Sequence, residues 1–150
     1  MTKFIGEYTV KIDDKGRLVL PSAFKSAVPE GEDLKFVVKK DIFADCLEMY
    51  TFTEWDRQSE DVKSRLDIFN SKHMLFWREY MRNRAIVEPD PKIGRISIPK
   101  KMLEAIGVNK EVVFAGSDFK IEIWAKERYE ESGISGEEFI SLAESLHENR

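Results

Sequence analysis

The chain has 150 residues, 42% hydrophobic and 35% charged, which suits one ordinary domain or two small ones and excludes a disordered polyelectrolyte. There is no run of about 18 apolar residues to span a membrane, the opening MTKFIGEYTV lacks the apolar core of a signal peptide, and Cys46 as sole cysteine excludes an internal disulfide framework. The net charge of −4 is unevenly placed: Glu127 to Arg150 hold seven acidic and two basic residues, which leaves residues 1–126 at +1 and open to a polyanionic partner.

In chain order, Phe4 to Ile12 alternate with period two and predict a strand. A Gly-Arg turn follows at Gly16-Arg17, then an extended run, Leu18 to Leu20, stopped by Pro21. Proline suits a helix's first turn, so Pro21 onward predicts a short helix. KFVVKKD (Lys35–Asp41) and LEMY (Leu47–Tyr50) predict two more strands. Thr53-Glu-Trp-Asp56 has capping-box spacing, with Val62, Leu66 and Phe69 following at helical intervals. A second helix is expected from Ser71 to Arg84, with Met74, Trp77 and Met81 on one face and Phe76 and Tyr80 beside it, an aromatic face that reads as core or subunit interface.

The first pattern then recurs. Ala85 to Val87 lead into Gly94-Arg95, Ile96 to Ile98 lead out, and Pro99 opens a short helix that Gly107 closes. EVVFAGSD (Glu111–Asp118) and IEIW (Ile121–Trp124) complete a second copy. Neither copy has strands enough to bury a core alone, so the two are expected to pack about an approximate two-fold axis into one mostly β body. At the end, Ser135-Gly-Glu-Glu138 is another capping box, and Phe139, Leu142 and Leu146 form a stripe expected to dock on the body.

Little here points to catalysis. His73 and His147 are isolated, no metal-ligand spacing is present, and each Gly-Arg turn has one glycine rather than a phosphate-binding loop. Cys46 reads as a small buried side chain and His73 as a satisfied structural residue. Asp13 and Asp14 read as turn residues bonding local backbone N–H groups. The arginine after each turn glycine, with Lys11, Lys15, Lys25, Lys92, Lys100 and Lys101 clustered nearby, leaves two readings open. One is a structural hairpin with Gly16 and Gly94 at positive φ. The other is a two-stranded ribbon that enters the major groove, its arginines reading guanine and its lysines holding phosphate.

FIGEYTVKIDDKGRLVLPSAFK resembles the opening of the MraZ family, with its F-x-G-x-Y/H…D-x-K-G-R-x-x-x-P pattern. IGRISIPKKMLEAIGVNKEVVFAGSDFKIEIWAKERYEE resembles the family's second half, and the likeness covers Phe4 to Glu131. The resemblance implies an α+β, mainly β fold: two tandem AbrB-like swapped-hairpin units forming a pseudo-two-fold β-barrel, with peripheral helices. The units are expected at 4–52 and 84–131, joined by a helical connector at 53–83 and followed by an acidic tail at 132–150. The resemblance further implies a cytoplasmic, nucleoid-associated regulator that assembles into rings. It would bind repeated double-stranded DNA sites upstream of its own cell-division and cell-wall gene cluster. The DNA-binding set on this reading is Lys11, Asp13, Lys15, Gly16, Arg17, Lys92, Gly94, Arg95, Lys100 and Lys101, with no catalytic residue, metal or cofactor. The alternatives are a non-catalytic ring scaffold or ligand-binding protein with structural hairpins, and behind it an enzyme. The family's D-x-x-x-R motif carries over as Asp13 and Arg17, whereas Pro91 stands where a second aspartate belongs and Asp90 is one residue early. Arg17 is therefore expected to be the better-oriented arginine.

Overall fold

The computed structural model describes residues 2–148; Asn149 and Arg150 of the expected tail lie outside the described residues. The first copy is β1 (Phe4–Lys11), β2 (Arg17–Val19), α1 (Ser22–Ala27), β3 (Phe36–Lys40) and β4 (Leu47–Thr51). The connector holds α2 (Phe52–Ser64) and α3 (Ser71–Met81). The second copy repeats the order as β5 (Ala85–Val87), β6 (Arg95–Ser97), α4 (Lys100–Ala105), β7 (Glu111–Asp118) and β8 (Ile121–Ala125). Two helices follow, α5 (Lys126–Glu131) and α6 (Gly136–Glu148).

Every strand of the first copy pairs with a strand of the second. The pairs are β1–β7, β2–β6, β3–β5 and β4–β8, all antiparallel. Exchanging the copies returns the same set of pairs. A lone copy would leave those backbone donors and acceptors without partners, which is costly wherever they are buried. The two copies therefore form one folding unit, as their short strands require.

The expected β-barrel does not close. Six strands form an open antiparallel sheet in the order β1-β7-β8-β4-β3-β5, with β1 and β5 at its edges, and β2 and β6 form a separate two-stranded ribbon. The core explains this. Leu18 and Ile96 on the ribbon, Phe24 on α1 and Met102 and Leu103 on α4 pack against Phe36, Leu47, Met49, Phe114, Ile121 and Ile123 of the sheet. Ribbon and helices thus cover the apolar face that closure would otherwise have to bury.

The sheet is buried on its other face as well. Val37 and Tyr50 point away from the main core and meet Trp55 of α2 and Tyr80 of α3 in a second cluster. Strand alternation thus divides β3 between two cores, Phe36 and Val38 on one side and Val37 on the other. Each burial of such a side chain is worth roughly 1.5–3 kcal/mol.

Several expected boundaries move. The cap of α2 is Thr51, not Thr53: its hydroxyl accepts from the Glu54 N–H at 3.1 Å. The helix ends at Ser64, so Leu66 and Phe69 lie beyond it and Phe69 is exposed. Asn70 caps α3, accepting from the N–H groups of Lys72 and His73, and α3 ends at Met81 rather than Arg84. Pro21 and Pro99 sit at the N-caps of α1 and α4, one residue ahead of the first helical position. Ser135 accepts from the Glu138 N–H at 3.1 Å, as its capping-box spacing predicts. The stripe of α6 does not dock on the body: Phe139, Leu142 and Leu146 are all exposed.

Candidate nucleic-acid interface

The ribbon is three residue pairs long. Arg17 lies opposite Ser97, Leu18 opposite Ile96 and Val19 opposite Arg95. Leu18 and Ile96 are fully buried. Successive side chains point to opposite faces, so Arg17, Val19, Arg95 and Ser97 share the outer face. The two arginines are diagonal neighbours, about 7–8 Å apart at Cα by strand geometry. Their side chains are exposed to almost the same degree, 29% and 28%.

Each arginine is held by an aspartate from its own turn. Asp13 Oδ1 accepts from the backbone N–H groups of Lys15 and Arg17, at 2.9 and 2.8 Å, and Oδ2 accepts from Arg17 Nε at 2.8 Å. In the second turn Asp90 Oδ1 accepts from the N–H groups of Lys92 and Ile93, at 3.0 and 2.9 Å. Asp90 Oδ2 accepts from the Arg95 backbone N–H at 2.7 Å and from Arg95 Nε at 3.1 Å. The second copy has therefore kept its aspartate. Asp90 fills the role from five residues before the arginine rather than four, and Pro91 and Ile93 lie in the longer turn between. The two turns close alike: Gly16 N–H reaches the Asp13 carbonyl and Gly94 N–H the Asp90 carbonyl, both at 3.0 Å. Gly16 has φ +77° and Gly94 φ +84°, the left-handed region that favours glycine.

These bonds favour the charged carboxylates. The Arg17 backbone N–H, with help from its guanidinium, holds Asp13 below the ordinary aspartate range. The N–H groups of Ile93 and Arg95 hold Asp90 far below it. The carboxylates engage Nε, so among the described residues Nη1 and Nη2 of both arginines make no side-chain hydrogen bond. That pair of donors is what a bidentate contact to guanine O6 and N7 requires.

The lysines are arranged less tightly. Lys15 and Lys100 line one groove of about 560 Å³ with Asp13, Ser97, Glu104 and Asn109, so the first turn lies beside the second copy's helix. The second turn matches this: Ile93 shares a groove of about 430 Å³ with Val19, Pro21 and Lys25 of the first copy. Lys92 and Lys101 are exposed. Lys100 makes a long ion pair with Glu104, 3.8 Å, and Lys11 ends β1 opposite Glu111. Local acids thus temper the positive face. Ile93 is absent from the residues that the sequence singles out; its signal is the one-residue excess of its turn over the first.

A second polar constellation lies under the connector. Glu48 accepts from Lys39 at 2.6 Å, from Lys120 at 2.5 Å and from the Tyr50 hydroxyl at 2.8 Å. Burial alone would raise the Glu48 carboxyl, but hydrogen bonds from Lys120 and Lys39 outweigh it and hold the group below its ordinary value. Lys120 also lies 3.7 Å from Asp41 and 3.5 Å from Glu122. The possible ligand atoms of Asp41, Cys46 and Glu122 come within 4.8 Å of one another. The Lys120 ammonium already supplies the positive charge there, and burial pushes the Cys46 thiol well above its ordinary value. With the Lys120 ammonium set among Asp41, Glu48 and Glu122, the cluster reads as an ion network. His73 is satisfied structurally: its Nδ1 accepts from the Asp67 N–H at 2.9 Å.

Fold and site together define a class: an α+β protein made from two interlocked copies of one unit, with a twin-arginine ribbon as its most distinctive surface. The family model described as "MraZ protein, putative antitoxin-like" matches residues 3–78 and 82–144. The chain belongs to the MraZ family. A Bacteroides thetaiotaomicron protein named transcriptional regulator MraZ is 38% identical over 152 residues, covering 100% of this chain and 97% of the relative. Relatives of the same name from Clostridium acetobutylicum and Dictyoglomus thermophilum are 32% and 37% identical. They align with 97% and 85% of this chain and with 97% and 83% of their own lengths.

Proposed function

We propose that the chain is a sequence-specific transcriptional regulator without a catalytic role. It binds double-stranded DNA through the β2–β6 ribbon, as a homo-oligomeric ring, at repeated promoter sites of its own cell-division and cell-wall gene cluster. Cytoplasmic location and association with the nucleoid follow from that role. The two copies are AbrB-like swapped-hairpin units related by a pseudo-two-fold axis. They occupy 4–52 and 84–131, with 53–83 as connector and 132–150 as tail. Support for the symmetry comes from the strand pairs, which are unchanged when the copies are exchanged.

One observation carries the DNA reading: two arginines on one outward face, each pre-oriented by an aspartate that leaves its terminal amino groups free. Ordering a long side chain costs free energy on binding, and pre-orientation removes part of that cost. A separation of about 7–8 Å between the arginines spans roughly two base steps at 3.4 Å each. Lys15, Lys92, Lys100 and Lys101 then take the phosphates, and Lys11 flanks the first turn. Gly16 and Gly94 shape the turns.

A near-neutral body can neutralise few phosphates, so a single ribbon binds weakly. Several ribbons on one ring raise the effective concentration at the next site. The test is a gel shift on DNA upstream of the chain's own gene, with one or several repeats and a salt series. Tandem sites are expected to bind far more tightly than one, with log K falling by about 0.9 per neutralised phosphate per unit log salt. Equal affinity for one and for several sites counts against the ring. Failure to distinguish promoter from unrelated DNA counts against specific readout and favours the scaffold alternative.

A further inference from the structure

The apolar stripe of α6 has nothing of its own chain over it: Phe139 is 67% exposed, Leu142 54% and Leu146 70%. A helix of 13 residues gains most of its stability from packing such a face, so the stripe calls for a partner. The rest of α6 is acidic. Gly136 to Glu148 contain four glutamates and neither lysine nor arginine.

A matching surface exists elsewhere on the chain. A groove of about 440 Å³ opens between α3 and the β3–β4 turn. Ile42, Phe76 and Tyr80 give it an apolar lining, and Lys40, Arg82 and Arg84 outnumber Asp41 and Glu79 there, which leaves it a slight positive excess even with Arg82 paired to Glu79 at 2.9 Å. Ile42 is 61% exposed and Phe76 47%. Lys63 to Arg84 hold six basic and two acidic residues, the reverse of α6.

We propose that α6 of one copy docks in the α3 groove of a second copy. Phe139, Leu142 and Leu146 seat on Ile42 and Phe76, and the α6 glutamates face Lys40 and Arg82. Apolar burial supplies the adhesion, and the opposite charges fix partner and orientation. Groove and helix are different surfaces of one chain, so the contact is head-to-tail. Such contacts propagate from copy to copy and end only when a ring closes. The inference rests on the homo-oligomeric part of the proposed function and names the surfaces that carry it.

The test uses the full chain, sedimentation velocity and two double variants, Leu142→Glu/Leu146→Glu and Ile42→Glu/Phe76→Glu. All four side chains are substantially exposed, and circular dichroism verifies folding. The parent is expected to assemble and each variant to sediment as a monomer. An equimolar mixture of the variants is expected to form a 1:1 dimer, because one retains an intact groove and the other an intact α6. A folded variant that assembles like the parent overturns this interface and leaves the oligomeric reading standing. So does a mixture that stays monomeric, and so does self-association of Ile42→Glu/Phe76→Glu on its own, the outcome expected if α6 pairs with α6. A monomeric parent overturns both readings, and the DNA reading is judged separately by the gel shift.

Discussion

The Asp90 carboxylate accepts from both the backbone N–H and the Nε of Arg95, at 2.7 and 3.1 Å, the same two contacts that Asp13 makes with Arg17. The ribbon is thus balanced in its chemistry although one turn is a residue longer. Arg17→Ala and Arg95→Ala are accordingly expected to weaken specific binding by similar amounts, on the order of 1–3 kcal/mol per subunit for the guanine each would no longer read. This replaces the inequality that Pro91 suggests when the sequence is aligned without a gap. Titration of both variants against promoter DNA checks it. A large loss for Arg17→Ala beside none for Arg95→Ala would show that only the first turn reads bases.

Orientation and charge are separable in the same assay. Asp13→Ala and Asp90→Ala remove the clamp but no cation that faces phosphate. Both are expected to weaken specific binding while leaving the salt slope near that of the parent. Lys15→Ala or Lys92→Ala is expected to lower the slope by about 0.9 for each phosphate no longer neutralised. A slope change in the aspartate variants that equals that of the lysine variants would refute the orienting role.

Glu48 is a different case, because its partners are buried with it. Lys39 has a side-chain exposure of 6% and Glu48 one of 8%. Removing one partner of a buried pair costs roughly 3–5 kcal/mol, since the remaining charge keeps its desolvation penalty. Glu48→Gln is therefore expected to destabilise the fold by about that amount at neutral pH. The folded carboxyl titrates below its unfolded value of 4.5, so its contribution is complete above that value and is lost as pH falls through the folded one. Urea melts of parent and variant should converge as the pH drops from 7 towards 3. A gap that persists unchanged at pH 3 would show that the carboxylate charge is not what stabilises this site.

Gly116 lies opposite Gly6 where β1 meets β7. A Cβ built on Gly116 would lie 2.6 Å from the Ile5 nitrogen and 2.6 Å from the Phe4 carbonyl carbon. Those atoms belong to backbone and cannot swing aside. Gly116→Ala is expected to push β1 from the sheet and cost about 1–3 kcal/mol, as overpacking does. At Gly16 and Gly94 a Cβ meets nothing within 4 Å, so alanine there costs only the left-handed conformation, about 1–2 kcal/mol. Thermal melts of the three variants, with native-state hydrogen exchange of the β1 amides, separate the two mechanisms. Unchanged β1 protection in Gly116→Ala would contradict the steric account.

How far the sequence can be read depends on the range of the interactions. The ribbon arginines, the turn glycines and the strands of both copies are written within spans of a few residues, and period-two alternation or a repeated phrase exposes them. The cap of α2 falls two residues from its expected place because Thr51-Phe-Thr-Glu54 and Thr53-Glu-Trp-Asp56 both fit the pattern, and only tertiary placement of β4 decides between them. The orienting role of Asp90 stays hidden in a rigid alignment of the turns, which conceals a one-residue insertion. The Glu48 network cannot be read at all: Lys120 is 72 residues away, and nothing local marks either residue as buried. Barrel closure likewise depends on where the ribbon and the α1 and α4 helices settle, not on the pattern of any one strand.

None of the hydrophobic residues from Ile134 to Leu146 is buried, so deletion of residues 132–150 is expected to leave the melting temperature of the body close to that of the parent. The deletion removes four glutamates and one arginine and takes the net charge from −4 to −1. Non-specific DNA affinity at low salt should therefore rise slightly, because less negative charge repels phosphate. Affinity for a single specific site should hold, since both arginines and their aspartates remain. The tandem-site advantage should disappear, because without α6 each body binds alone and no linkage raises the local concentration of the next ribbon. Gel shifts on one-site and multi-site DNA measure the two quantities side by side. A truncated chain that keeps the full tandem-site advantage would place the contact between copies elsewhere on the body.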